Sequence, residues 1–92
     1  MHLKGYIMTL GEKIKAARLK RGWTVKQLIE RLGNSISSSY ISKIEIEGEI
    51  PSPKMLKSLS RVLELKYDTL ATYAKEEKLQ QFKKGLAQKY EQ

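Results

Sequence analysis

Between the punctuation of Gly22, Gly33, Gly48, Pro51 and Pro53, apolar residues recur at helical spacing, and strand-like alternation is nearly absent. Leu10, Ile14 and Ala17 share one face and predict a first helix from about Leu10 to Arg21, with Gly22 as its C-cap. The second helix starts at Thr24, which can act as N-cap. Gln27, three residues later, completes a capping box, and Trp23 with Leu28 can form a hydrophobic staple. Leu28, Ile29 and Leu32 turn inward, and Gly33 ends this helix. The third helix repeats the device, with Ser37 as N-cap, Ile36 before it and Ile41 at the staple position. Ile41 and Ile44 face the core, and Gly48 closes the helix. Ser52 followed by Pro53 reads as the N-cap and first residue of a fourth helix, where the missing N–H of proline costs nothing. Leu56, Leu59 and Leu63 are its buried stripe, and Leu65, Tyr67 and Leu70 lead into a fifth helix. The fold class is all-α.

From Lys75 the pattern weakens. Residues 75–78 (KEEK) are polar all round, and Leu79, Phe82, Leu86 and Tyr90 form a narrow apolar stripe interrupted by Gly85. Such a stripe belongs to a solvated extension, to a helix folded back on its own core, or to a dimerisation helix. Met8-Thr9-Leu10 reads as the start of a domain, so residues 1–8 form an N-terminal extension, residues 1–7 being an addition or an alternative start. Residues 9–73 are the domain and 74–92 a C-terminal helical tail.

Charge changes this picture from a small helical domain to one with a polyanionic partner. Eighteen Lys and Arg stand against ten Asp and Glu, for a net charge of +8 over 92 residues. Residues 10–31 hold Lys13, Lys15, Arg18, Lys20, Arg21, Lys26 and Arg31 against Glu12 and Glu30, whereas residues 45–49 hold Glu45, Glu47 and Glu49 with no cation, so the positive field is one-sided. The chain has no cysteine, which excludes disulfides, thiol nucleophiles and thiolate metal sites and suits a reducing, cytoplasmic setting. No apolar run reaches the roughly 18 residues of a membrane span, and the N-terminus lacks the features of a signal peptide. The lone histidine, His2, is terminal and reads as inert. With no carboxylate pair at ligand spacing and no phosphate-cradling glycine loop, the residues furnish no enzyme, cofactor or metal site.

Two short helices over 24–32 and 37–47, joined by a glycine-containing turn, make a helix-turn-helix pattern. In it the first helix lies across a DNA backbone, and the second presents its polar face to the major groove. The stretches LGEKIKAARLKRGWTVKQLIERLG, SYISKIEIEGEIPSP and LKSLSRVLEL, in this order and spacing, resemble the lambda-repressor-like (Cro/CI, XRE) DNA-binding domain from residue 9 or 10 to about 70. The resemblance implies five helices around one core, with the tail as an addition. It implies a transcriptional regulator, a repressor, that binds double-stranded DNA as a homodimer on a palindromic site. It also implies an ion pair of Arg18 with Glu45 that fixes the angle of the recognition helix. Base contacts then fall to Ser38, Ser39, Tyr40, Ser42 and Lys43, and phosphate contacts to Thr24, Lys26, Gln27, Lys20 and Lys54.

The sequence departs from the family pattern at four places. Val25 follows the capping residue where glutamine is common, and Ile29 stands where alanine is common. Asn34 and Ser35 lengthen the turn, and Glu47 and Glu49 follow the recognition helix where basic residues are common. The acidic segment over 45–49 and the tail stripe motivate a second reading, a protein-interaction module on the same scaffold, such as an antitoxin or a regulatory partner with weak DNA binding. Little chain follows the fifth helix, so no small-molecule effector domain is expected, and no membrane partner.

Overall fold

The computed structural model describes residues 8–90, with side chains to Leu86. Residues 1–7, His2 among them, and the side chain of Tyr90 lie outside the described residues. Five helices follow one another: α1 (Leu10–Lys20), α2 (Val25–Arg31), α3 (Ser38–Ile46), α4 (Pro53–Leu63) and α5 (Tyr67–Tyr90). The described residues contain no strand.

Local chemistry sets most of the helix ends. Thr9 caps α1 by accepting from the Glu12 amide at 3.1 Å, while the Glu12 carboxylate accepts from the Thr9 amide at 2.9 Å. Thr24 and Gln27 make the same reciprocal box on α2, at 3.1 and 2.8 Å. Ser37 and Ser52 cap α3 and α4 by accepting from the amides of Tyr40 and Met55. Helices α1 and α2 both stop in a Schellman arrangement. Gly22 (φ +74°) and Gly33 (φ +95°) take the left-handed position, and the following amides, of Trp23 and Asn34, donate back to the carbonyls of Arg18 and Ile29. Arg21 is thus the C-cap residue, one position beyond the end of α1. Helix α4 ends without a glycine: Glu64 itself is left-handed at φ +56°. Arg21 secures this end, its Nη2 donating to the Leu63 carbonyl at 2.9 Å and lying 3.4 Å from the exposed Glu64 carboxylate.

Each helix sends its apolar stripe to one core. Leu10 and Ile14 come from α1, Leu28 from α2, Ile41 and Ile44 from α3, Leu56, Leu59 and Leu63 from α4, and Leu70 and Ala74 from α5. Ala17, Ile29, Leu32 and Ile36 are half-buried and pack against that cluster. Helices α1 and α3 make the most extensive packing. They approach closely at Gly11, where a β-carbon would fall on the Ile44 carbonyl oxygen and lie 2.7 Å from that of Glu45.

The tail is not a separate element. Helix α5 runs through residue 74 without a break for 24 residues, about 36 Å at 1.5 Å per residue. The KEEK segment is polar but made of good helix formers, and the helix is tied to the body on one side. Ala74 is buried, the Glu77 carboxylate accepts from the Leu10 amide at 3.4 Å, and Gln81 donates to the Gly48 carbonyl at 2.8 Å.

Candidate nucleic-acid interface

The placement of α3 decides what its polar residues can touch. Its inner side is fixed by Ile41 and Ile44, both essentially fully buried, and by Glu45. Arg18 reaches Glu45 from α1 with two parallel bonds, Nε to Oε2 at 2.9 Å and Nη2 to Oε1 at 3.0 Å. Its third donor, Nη1, meets the Trp23 carbonyl at 2.8 Å, just before α2. The side chains of the pair are only 8% and 3% exposed, so the bridge works in a poorly solvated environment. The hydrogen bond to Glu45 raises the Arg18 pKa above its ordinary value; burial opposes that rise, and the Glu45 charge adds to it. One guanidinium therefore holds α1, the entry to α2 and the last turn of α3 together.

With Ile41 turned inward, Ser39 and Lys43 lie on the opposite side of α3, and both are exposed. Ile46, three residues beyond Lys43, shares this side and is 71% exposed. Ser38 is exposed and Ser42 half-buried on the flanks. Tyr40 differs from the other four, because its ring is half-buried and packs against the core. Burial, and secondarily the Glu49 carboxylate, push its phenol above the ordinary value. Tyr40 lines a shallow recess with Ser37, Ser52, Lys54 and Met55, so the starts of α3 and α4 meet there.

Thr24, Lys26 and Gln27 are exposed at the start of α2, Lys20 at the end of α1 and Lys54 in the first turn of α4. The hydroxyl oxygen of Thr24 and the amide oxygen of Gln27 are engaged in the capping box. The Gln27 amide group keeps its N–H donors, which suits a phosphate. Val25 is half-buried against the core, a packing role that accounts for an apolar residue at this helix start. The longer turn after α2 places Asn34 in the left-handed region at φ +61°, a conformation asparagine tolerates better than most residues.

The sequence pattern did not reveal a second basic feature. The guanidinium groups of Arg31 and Arg21 lie 4.6 and 5.5 Å from the centre of the Trp23 ring. The composition R-G-W at 21–23 was the available signal for Arg21, but Arg31 stands eight residues beyond Trp23 and no local spacing pairs the two. Among the described residues no cluster of three or more His, Cys, Asp or Glu could hold a metal, and no described helix is long and apolar enough to cross a membrane.

A family model described as helix-turn-helix matches residues 14–70, more than half of the chain. Comparison with curated proteins and with solved structures gave no match.

Proposed function

The chain belongs to the helix-turn-helix family of lambda-repressor-like, DNA-binding transcription regulators, and we propose that it binds a specific duplex sequence as a homodimer and represses transcription there. The observation that carries this reading is the two-sidedness of α3: apolar and ion-paired within, exposed at Ser39 and Lys43 without. A helix held in this way can enter the major groove with its polar side toward base edges. Lys43 reaches a guanine edge, and Ser39 donates to or accepts from a neighbouring base. Ser38 and Ser42 contribute from the flanks, while Tyr40 supports α3 from its half-buried position.

Lys20, Lys26 and Lys54 neutralise phosphates, assisted by Thr24 and Gln27. A single copy offers few base contacts, so two copies on half-sites about one helical turn apart supply operator affinity. Occupancy of such a site excludes other proteins from it, which is the simplest route to repression for a domain of this size.

The test is selection of duplexes from a random pool, followed by binding to the winner at several salt concentrations. Three lysines per protomer, six per dimer, give a slope of log K against log salt of about −5. Lys43→Ala is expected to relax sequence preference at one position while leaving that slope little changed. Lys26→Ala is expected to weaken binding to all duplexes alike and to flatten the slope by about 2 in the dimer. Recovery of no preferred sequence, or affinity indifferent to salt, would overturn the reading.

A further inference from the structure

Helix α5 carries two unlike sides beyond Ala74. Gln81 continues the side that bears Leu70 and Ala74, and it bonds to Gly48. Leu79, Phe82 and Leu86 lie on the other side, spaced three and four apart, and Phe82 is 63% exposed. Lys78 and Lys83 flank this stripe on either side, and Lys75 stands in line with it one turn before Leu79. The helix end is therefore apolar along its middle and basic along its borders.

The body carries a surface of the opposite charge. An open groove runs from Met8 past the end of α3 to the flank of α5, and its lining includes Glu47, Glu49, Glu76 and Glu77. Met8 and Ile46 are exposed in its lining, so it also offers apolar surface. Glu45 also borders it but is spent on Arg18. Half of the ten acidic residues of a +8 chain thus gather at one groove. Lys84 is the one cation in its lining.

We propose that the Leu79–Phe82–Leu86 stripe of one protomer docks into the Glu47–Glu49–Glu76 groove of a second copy, reciprocally, and that this contact forms the dimer. The inference rests on the homodimer reading and assigns its surface. Three observations select a second copy as the occupant. The groove calls for an apolar helix bordered by cations, and α5 is such a helix. A continuous α5 turns its stripe away from its own body, so it cannot fill its own groove. Pairing stripe against stripe would set the lysines of one copy against those of the other, whereas stripe against groove sets them against carboxylates. Reciprocal docking gives a closed, two-fold assembly with each surface used once per copy.

The experiment is sedimentation equilibrium on the full chain without DNA. The wild type is expected to dimerise. Phe82→Glu is expected to be monomeric yet as helical as the wild type by circular dichroism, because the side chain it replaces is largely exposed, with a melting temperature lowered to that of the dissociated wild type and independent of protein concentration. Lys78→Glu/Lys83→Glu and Glu47→Lys/Glu49→Lys each weaken the dimer by about tenfold or more. Combining all four reversals restores it, since both surfaces then change sign together. The proposal is overturned by a monomeric wild type, by a dimeric Phe82→Glu protein, or by a combined variant no tighter than its parents. It is also overturned if Glu47→Lys/Glu49→Lys leaves the dimer intact, which is the pattern of stripe-on-stripe pairing. Binding of the Phe82→Glu protein to a single half-site, followed by fluorescence anisotropy, reports separately on the DNA reading. Its loss would count against the DNA reading and leave the assembly result standing.

Discussion

Replacing Gly11 by alanine tests the contact that seats α3. In an exposed helix the change would be favourable, because glycine costs about 1 kcal/mol relative to alanine. Here the new β-carbon meets backbone, not flexible side chains: the carbonyl oxygens of Ile44 and Glu45. Restoring an ordinary 3.4 Å contact to the Glu45 oxygen from 2.7 Å needs a retreat of 0.7 Å, with a larger one at Ile44. A gap of 0.5–1 Å forfeits about a quarter to a half of each dispersion contact behind α3. Overpacking of this kind costs about 1–3 kcal/mol, and a clash with immobile backbone belongs at the upper end. After the propensity gain, the expected net loss is about 2 kcal/mol, a fall in melting temperature of roughly ten degrees. Urea unfolding should show a lower midpoint with an unchanged slope. Gly85→Ala is the matched control, since nothing lies within 4 Å of its added carbon, and it should be stabilising by about 0.5 kcal/mol. A Gly11→Ala protein as stable as the wild type would refute the close approach of α1 and α3 and with it the seating of α3.

Arg18→Leu should destabilise by about 3 kcal/mol, because it strands the Glu45 carboxylate among apolar neighbours; Arg18→Met with Glu45→Leu should recover most of that loss in denaturant melts. Glu64→Gly should stabilise by about 0.5–1 kcal/mol, since it removes a side chain from a left-handed backbone and gives up only an exposed ion pair. Tyr40 keeps its proton in the folded chain at pH values where the unfolded chain loses it. Stability from this group is therefore intact until the unfolded chain begins to titrate, about one pH unit below the ordinary value, and declines as pH rises through the folded value. Subtracting the stability-against-pH curve of Tyr40→Phe from that of the wild type should give a flat line to about pH 9 and a decline above it.

The features read correctly from the sequence are those whose cause lies within four residues. Thr24 with Gln27, Ser37, and Ser52 with Pro53 announce their helix starts because cap and capped amide are near neighbours. The box of Thr9 and Glu12 was equally open to reading, being the same pattern. Gly11 was not, because the demand for a missing side chain comes from the backbone of α3. The left-handed Glu64 gives no sign in the sequence, where glycine would have marked the turn. At the interface, the inward set of Ile41 and Ile44 follows from spacing, and it places Ser39 and Lys43 outside. The half-burial of Tyr40 and the exposure of Ile46 do not follow, since both depend on where α4 and α5 pass. Polarity all round at residues 75–78 suggested a weakening helix, but tethers through Glu77 and Gln81 lie on one side only and leave charge free on the rest.

The three-way grip of Arg18 has a bearing on transplantation. The α2–α3 pair takes its pose from a side chain six residues upstream of Thr24, so a graft of α2 and α3 onto another scaffold arrives without its clamp. Lysine at that position supplies charge but lacks the fork needed to engage two carboxylate oxygens and a carbonyl at once. Specificity engineered on the outer side of α3 therefore has to carry α1 along as part of the cassette.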